Sequence, residues 1–191
     1  MRILAVSDEE SNALWSERAR EFSPDVIISC GDLRKDYLEF LLTVINAPLL
    51  YVFGNHDSDG PEGGICIDGC AVKFGGVRFL GLGGSMRYRE GRNMYTEGEM
   101  FRRYLRSWPS IRRSGGVDVL VSHAPPKGYG DLEDIAHRGF KTFNKIMNKY
   151  RPKYMLHGHV HPSYGRIKRE HIHESGTRIL NVCGYRIIDI H

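Results

Sequence analysis

Short polar clusters of carboxylate, amide and imidazole side chains recur along this chain, and each follows an apolar run of strand-like length. The densest is Gly54-Asn55-His56-Asp57, directly after Leu49-Leu50-Tyr51-Val52-Phe53. Asp8 comes just after Ile3-Leu4-Ala5-Val6, and Gly31-Asp32 just after Val26-Ile27-Ile28. Ser122-His123 follows Val119-Leu120-Val121, and Gly158-His159-Val160-His161 comes just after Tyr154-Met155-Leu156. Five strand ends thus present oxygen and nitrogen donors with one polarity. Core packing has no use for such groups, whereas a divalent-metal site with shared oxygen and nitrogen ligands does.

Such clusters need elements to position them. Residues 2–7 read as a buried strand, 10–21 as a helix closed by Ser23-Pro24, and 25–30 as a second strand. Tyr37, Phe40, Leu41 and Val44 mark the next helix, and Pro48 precedes a third strand. That βαβαβ rhythm implies parallel strands with right-handed crossovers. The rhythm then changes. Ile65–Phe74 and Val77–Leu82 read as a hairpin around Gly75-Gly76, and Gly83–Asn93 as a glycine- and arginine-rich loop over the site. Met100, Phe101, Tyr104, Leu105 and Trp108 recur at helical spacing. A strand over 117–122, a helix through Ile135–Tyr150 and a strand over 153–157 follow. The stretch 163–190 reads as antiparallel strands, clearest at 179–182 and 186–190. The expectation is one α/β domain over residues 1–191, a four-layer αββα sandwich of two mixed β-sheets flanked by helices.

Composition sets bounds on function. A chain of 191 residues, 41% hydrophobic and 26% charged, is ordinary for a globular protein. The net charge of +4 favours anionic ligands mildly and does not by itself indicate nucleic acid. No apolar run approaches the ~20 residues of a membrane span, and the N-terminus enters a strand at once, so a cytoplasmic location is expected. Cys30, Cys66, Cys70 and Cys183 read as reduced, packed thiols; Cys66-x3-Cys70 lacks the second pair of a zinc clip.

Asp8, Gly31-Asp32, Gly54-Asn55-His56-Asp57, Ser122-His123 and Gly158-His159-Val160-His161 together resemble the five blocks of the calcineurin-like metallophosphoesterase superfamily, in that family's order. The resemblance implies two divalent ions. One would take Asn55, His123, His159 and a bridging Asp32; the other Asp8, Asp32, His161 and the residue two after Asp8. Such a pair neutralises phosphoryl oxygens and lowers the pKa of water towards ~7. His56 matches the family histidine that assists the leaving group or the developing charge, and Asp57 resembles the carboxylate that orients it.

One position departs from the pattern. The residue two after Asp8 is usually histidine and here is Glu10. Strand alternation would aim Glu10 at the metal and Glu9 away from it. The carboxylate would bring two divalent ions and a hydroxide to about zero net charge, against about +1 with histidine. Oxygen-loving Mn2+ would then be favoured over Fe, Zn, Ni or Mg. The competing reading is that Glu10 merely begins a helix.

Other candidates are less specific. Arg87, Arg89 and Arg92 suit phosphate oxygens and would let the glycine-rich loop grip substrate. Arg102, Arg103, Arg106, Arg112 and Arg113 read as a solvated helix face, and His157 should point away from the metals by alternation. His137 carries no signal, His171 and His173 read as hairpin residues, and Tyr88 and Tyr95 are candidates for stacking on an aromatic leaving group. The reading is a binuclear metal-dependent phosphoesterase acting on a phosphate ester, with diesters slightly favoured over monoesters. A catalytically weak interaction scaffold of the same fold is the alternative.

Overall fold

The computed structural model describes residues 1–164 and 167–190. In chain order the strands are β1 (Arg2–Ser7), β2 (Val26–Ser29), β3 (Leu49–Tyr51), β4 (Ile65–Cys66), β5 (Ala71–Phe74), β6 (Val77–Leu82), β7 (Ser85–Met86), β8 (Met94–Tyr95), β9 (Val119–Ser122), β10 (Tyr154–His157), β11 (Glu170–Ile172), β12 (Arg178–Asn181) and β13 (Gly184–Asp189). The α-helices are α1 (Lys35–Ile45), α2 (Glu97–Ser114) and α3 (Lys141–Tyr150).

Two large sheets result. The first has the order β13-β1-β2-β3-β4, parallel throughout except for β13 at its edge. The second runs β11-β12-β10-β9-β6-β5, with a parallel centre and antiparallel β11 and β5 at its edges. β7 and β8 form a small separate ribbon.

Alternation along the strands sorts the apolar residues into three layers of contact. Ile3, Ala5, Val26 and Ile28 meet Phe79, Val119, Val121 and Leu156 between the sheets. Leu4, Val6, Ile27 and Leu49, one residue out of step, pack outward on Tyr37, Leu38 and Leu41 of α1. On the far side Leu80, Leu120, Met155 and Ile179 pack on Met100, Tyr104 and Ile111 of α2 and on Phe143, Ile146 and Met147 of α3. Each such side chain contributes roughly 1.5–3 kcal/mol on burial, and the period-two pattern fixes register, because a one-residue slip would exchange the two faces. The architecture is the expected four-layer sandwich. Among the described residues no helix is long and apolar enough to cross a membrane.

Four local expectations give way. The helix expected over 10–21 is instead a turn followed by a 3-10 helix at Glu17–Phe22. Trp15 lies over α1 against Tyr37 and Phe40, at ring centroid distances of 5.1 and 4.8 Å, and Ser11 starts a turn through its carbonyl. That anchoring and the polar Ser11, Asn12 and Ser16 outweigh the helical pattern. The strand read over 65–74 divides at Gly69 (φ 79°) between the two sheets. The helix expected from Ile135 begins only at Lys141. A Cβ at Gly139 would stand 2.5 Å from the Pro126 carbonyl, so this stretch is held as a loop by close backbone approach. Finally, β12 is antiparallel to β11 but parallel to β10, while β13 crosses to the other sheet. The crossing begins at Cys183, which bridges to Ser7 at the end of β1.

Candidate metal centre

The parallel strands end together, and within each sheet neighbouring ends are tied to one another. Ser7 Oγ donates to the Gly31 carbonyl at 3.0 Å and the Gly158 N–H to the His123 carbonyl at 2.9 Å. Asp8, Asp32 and His159 then take left-handed backbone conformations, with φ of 61°, 56° and 66°. Each costs about 1–3 kcal/mol for a non-glycine residue and persists only where the surroundings hold it. The turn throws each side chain off the strand line and into the gap between the sheets. The motif glycines leave that gap clear: a Cβ at Gly54 would fall 2.0 Å from Asp32 Oδ1, and one at Gly158 2.0 Å from Asp8 Oδ2.

Asp32, Asn55, His123 and His159 converge at the bottom of the gap. His123 is fully buried, and its Nδ1 faces the Cys30 carbonyl at 2.8 Å, an acceptor that requires the proton on that nitrogen. Nε2 therefore turns to Asn55 Oδ1 at 3.1 Å and Asp32 Oδ2 at 3.2 Å. His159 Nε2 likewise donates to the Ala136 carbonyl at 2.8 Å, which leaves Nδ1 as the lone-pair nitrogen. One donor atom from each of Asp32, His123 and His159 lies within 4.8 Å of the others. Oxygen and nitrogen acceptors aimed at one point repel unless positive charge stands among them. In the ion-free chain a proton on His123 does so. Burial alone would lower its pKa, but the Asp32 carboxylate overrides that and pushes it up to about 9. Asp32 in turn is disfavoured as a charge by burial, yet His123 holds its pKa down at about 2. A divalent ion fits where that proton sits. By contrast, burial and then the His123 charge push His159 down to about 3, so it stays neutral and ready to ligate.

The second group is more open. Asp8 accepts the His159 N–H through Oδ1 and Oδ2 at 3.0 and 2.9 Å, and burial raises its pKa. His161 Nε2 stands 3.7 Å from Asp8 Oδ1. Glu10 is not with them. Its carboxylate accepts the Trp15 indole N–H at 2.8 Å and lies 3.8 Å from Arg34 Nε. Glu9 is the residue that reaches the site, with Oε1 3.0 Å from His161 Nδ1. The alternation argument failed because it assumed extended backbone through Asp8. The left-handed turn there, closed by the Glu9 N–H to the Ser7 carbonyl at 2.6 Å, exchanges the directions of Glu9 and Glu10. Cys183 Sγ lies 3.8 Å from the same His161 nitrogen.

Around these groups a cleft of about 520 Å³ is lined by Asp8, Asp32, Arg34, Lys35, His56 and His161. His56 is exposed at its mouth, with its backbone N–H donating to Asp32 Oδ1 at 2.8 Å. Asp57 does not orient that imidazole as expected. Its carboxylate accepts the N–H groups of Gly54 at 2.7 Å and Asp32 at 2.9 Å, clamping the ends of β2 and β3 together. Asn93 clamps from the other side, donating through Nδ2 to the Gly54 and Asp57 carbonyls at 3.0 and 3.1 Å. The sequence carried no signal for it beyond its place in the glycine-rich loop.

Arg87 and Arg89 also fall outside this cleft. Arg87 pairs with Glu99 at 2.9 Å and lines a separate cavity, and Arg89 lies over the Tyr88 ring. Arg34 and Lys35, at the start of α1, line the cleft instead, Arg34 paired with Asp36 and Lys35 3.2 Å from Glu62. Arg103, grouped with a solvated helix face, is tucked under the loop. It bonds Asp68 at 2.6 Å and the Gly83 carbonyl at 2.8 Å and stacks on Tyr95. His157 is buried away from the cluster, its Nδ1 3.0 Å from the Gly158 carbonyl. His173 lies in the β11–β12 hairpin, as expected, and is buried, while His137 packs between the His159 and Tyr164 rings. Tyr164, exposed and 5.3 Å from the His161 ring, is the aromatic side chain that stands beside the site.

A family model described as calcineurin-like phosphoesterase matches residues 1–163. Among curated proteins, the UPF0046 protein T07D4.2 of Caenorhabditis elegans is 36% identical over 70 residues, 36% of this chain and 16% of the relative. The UPF0046 protein C25E10.12 of the same organism is 33% identical over 67 residues, 32% of this chain and 23% of the relative. The chain thus spans less than a third of the length of the curated relatives it matches. Of solved structures, TT1561 of Thermus thermophilus aligns with a TM-score of 0.64 at 13% identity, covering 96% of this chain and 89% of that one. GAP50, described as the anchor in the inner membrane complex of Plasmodium, aligns at 0.57 and 12% identity over 96% of this chain and 71% of its own. Vps29 of Entamoeba histolytica complexed with Zn2+ aligns at 0.50 and 11% identity, over 100% and 86%. At such identities the likeness is one of fold.

Proposed function

The chain belongs to the calcineurin-like phosphoesterase family, and from that premise we propose that it hydrolyses a phosphate ester with the help of two divalent ions. The observation that carries this reading is the convergence of Asp32, Asn55, His123 and His159 lone pairs on one buried point beneath an open cleft. Those four residues would hold one ion; Asp8, Asp32 and His161 would contribute to the other. When bound, the ions supply charge neutralisation at the phosphoryl oxygens and acidify the attacking water.

The chain's own groups do the rest. Arg34 and Lys35, on the cleft wall, would exchange their carboxylate partners for the outer phosphoryl oxygens. His56, at the mouth of the cleft, would donate a proton to the leaving group, and its backbone tie to Asp32 Oδ1 holds it beside the ligand cluster. Asp57 and Asn93 position that loop. Tyr164 offers a face to an aromatic or nucleobase leaving group. The carboxylates of Asp8, Glu9 and Asp32 bring the assembly of two ions near neutrality, which favours a singly charged diester over a dianionic monoester. The free cysteines fit a reducing, cytoplasmic setting, and residues 1–191 are read as one domain.

The second reading, an interaction scaffold, gains from one observation: with Glu10 turned to Trp15, the second ion lacks the ligand the family pattern puts at that position. Turnover separates the two. Aryl phosphodiester and aryl phosphomonoester hydrolysis are measured with Mn2+, Zn2+, Ni2+ and Mg2+ for wild type and His56→Ala. An enzyme loses about 10²–10⁴ in rate without its general acid, with the diester the better substrate. Equal rates for both proteins on both substrates across all metals remove the catalytic reading.

A further inference from the structure

Charge is not spread evenly along this chain. Residues 100–114, in α2, and 141–153, which include α3, carry ten of its 27 basic residues and none of its 23 acidic ones. The rest of the chain is therefore net acidic. Both helices lie on the second sheet and bury one stripe in it, Met100, Tyr104 and Ile111 from α2 and Phe143, Ile146 and Met147 from α3. About a quarter turn round α2, Phe101, Leu105 and Trp108 form a second apolar stripe, with Leu105 52% and Trp108 49% exposed. Cations flank it on both sides. Arg102, Arg106 and Arg113 follow, exposed, on the next stripe of α2. From α3, Lys145 lies 4.8 Å from the centre of the Phe101 ring and Lys149 5.7 Å from that of Trp108. Among the described residues none of Arg102, Arg106, Arg112, Arg113, Lys145 and Lys149 forms an ion pair.

We propose that this face rests on an anionic lipid surface, with Leu105 and Trp108 entering the boundary between headgroups and acyl chains. A ridge of Leu and Trp between Lys and Arg is the composition of a helix that lies in the interface without crossing it. Indole rings settle at that depth, and long basic side chains reach back from it to the lipid phosphates. Each Lys or Arg near an anionic leaflet strengthens partitioning by about fivefold, so weak single contacts sum to firm attachment. A nucleic acid would use the cations but leave Leu105 in water. The Trp108 ring, on which a base would stack, already carries Lys149. The cleft residues Asp8, Asp32, Lys35, His56 and His161 all lie outside α2 and α3, so the pose places no contact on them. Attachment of this kind is independent of whether the metal centre turns over.

Trp108 is itself the probe. The chain has two tryptophans, so Trp15→Phe leaves Trp108 as the single indole. The 191-residue chain and this variant are mixed with phosphatidylcholine vesicles, with and without phosphatidylserine, and followed by sedimentation and indole emission. Sedimentation is expected only with phosphatidylserine, weakening as salt rises, together with a blue shift of the Trp108 emission. Arg102→Glu combined with Arg106→Glu should weaken binding on the order of a hundredfold. Leu105→Ser should weaken it by a smaller factor, and the thermal unfolding midpoint should hold in both, since these positions are exposed. Arg18→Glu combined with Arg20→Glu makes the same change in net charge on the 3-10 helix of the opposite layer and should keep most of the binding. No sedimentation with phosphatidylserine at low salt would overturn the proposal. So would an unshifted Trp108 emission on saturating vesicles, or equal weakening by the two arginine pairs. A single-stranded oligonucleotide bound through Arg102 and Arg106, with no vesicle binding, would give the face to nucleic acid instead.

Discussion

The two halves of the site are built from different materials. Around His123 the donors are buried: His123 is 0% exposed, and Asn55 and His159 are each 7%. Their ring nitrogens are assigned by main-chain carbonyls, of Cys30 and of Ala136. A carbonyl in a packed chain cannot rotate away, so this half is set before any ion arrives. Around His161 the side chains bond one another instead, and Glu9 is 53% and His161 28% exposed. Here an ion must order flexible groups as it binds, which lowers affinity. One half is fixed by strands, the other by loops.

The sharpest way to break that contrast is to remove His123. His123→Ala leaves the Asp32 carboxylate buried without the partner 3.2 Å away, and an uncompensated buried charge costs about 3–5 kcal/mol. The ion-free variant should unfold at correspondingly lower denaturant, and the loaded one should lose the inner ion and all turnover. Removing His161 should leave stability nearly unchanged and lose only the outer ion. Equal destabilisation by the two changes would erase the difference between the halves.

The same contrast decides what could be read in the sequence. The inner half was legible because its residues lie on or directly after strands whose apolar period is unmistakable; so were the two sheets and α1 and α2. Glu9 was misjudged because alternation holds only while the backbone is extended, and nothing in Ser7-Asp8-Glu9-Glu10 announces a left-handed aspartate. Cys183 and Asn93 come from distant segments delivered by a sheet crossing and a long loop, and single-sequence periodicity does not encode such meetings. Arg87 and Arg89 were plausible by type alone, and their loop turned them elsewhere.

A smaller effect separates the halves by pH. His123 is raised to about 9 in the fold from an ordinary 6.5. Its contribution to stability is therefore complete below about pH 6.5 and fades as pH rises through about 9. His157 and His159 are depressed to about 4 and 3, mainly by burial. Their contribution is present above pH 6.5 and is lost as pH falls towards those values. The ion-free chain should thus be most stable near pH 6.5, and a bound inner ion, replacing the His123 proton, should flatten the alkaline arm. Thermal unfolding from pH 4 to 10, with and without Zn2+, checks this. An alkaline arm that metal leaves unchanged would place the ion elsewhere.

Asn93 tests the clamp between strands and loop. Asn93→Gly keeps the positive φ of 54° comfortable and deletes two hydrogen bonds, each worth about 1 kcal/mol. Stability should fall by about 2 kcal/mol. Both ions should remain, and kcat should drop on the order of tenfold to a hundredfold as the His56 loop slackens. A change in metal content with kcat intact would show that the loop serves the ions and not His56.

The smallest expected effect is at Glu10, and it is the most telling about the outer half. Glu10 bonds Trp15 and faces Arg34, which is 71% exposed, so the ion pair is worth no more than about 1 kcal/mol. In Glu10→Gln the amide oxygen can still accept the indole proton, and stability should shift by less than that. Metal content and affinity should not move. Glu9→Gln removes the carboxylate beside His161 and should weaken the outer ion by about 10–100-fold while the inner ion stays. Competition with a fluorescent chelator reads both. If Glu10→Gln weakens the outer ion as much as Glu9→Gln does, ion binding must swing Glu10 inward from Trp15. The outer half would then be remade by the metal, and the geometry around Asp8 would describe only its resting form.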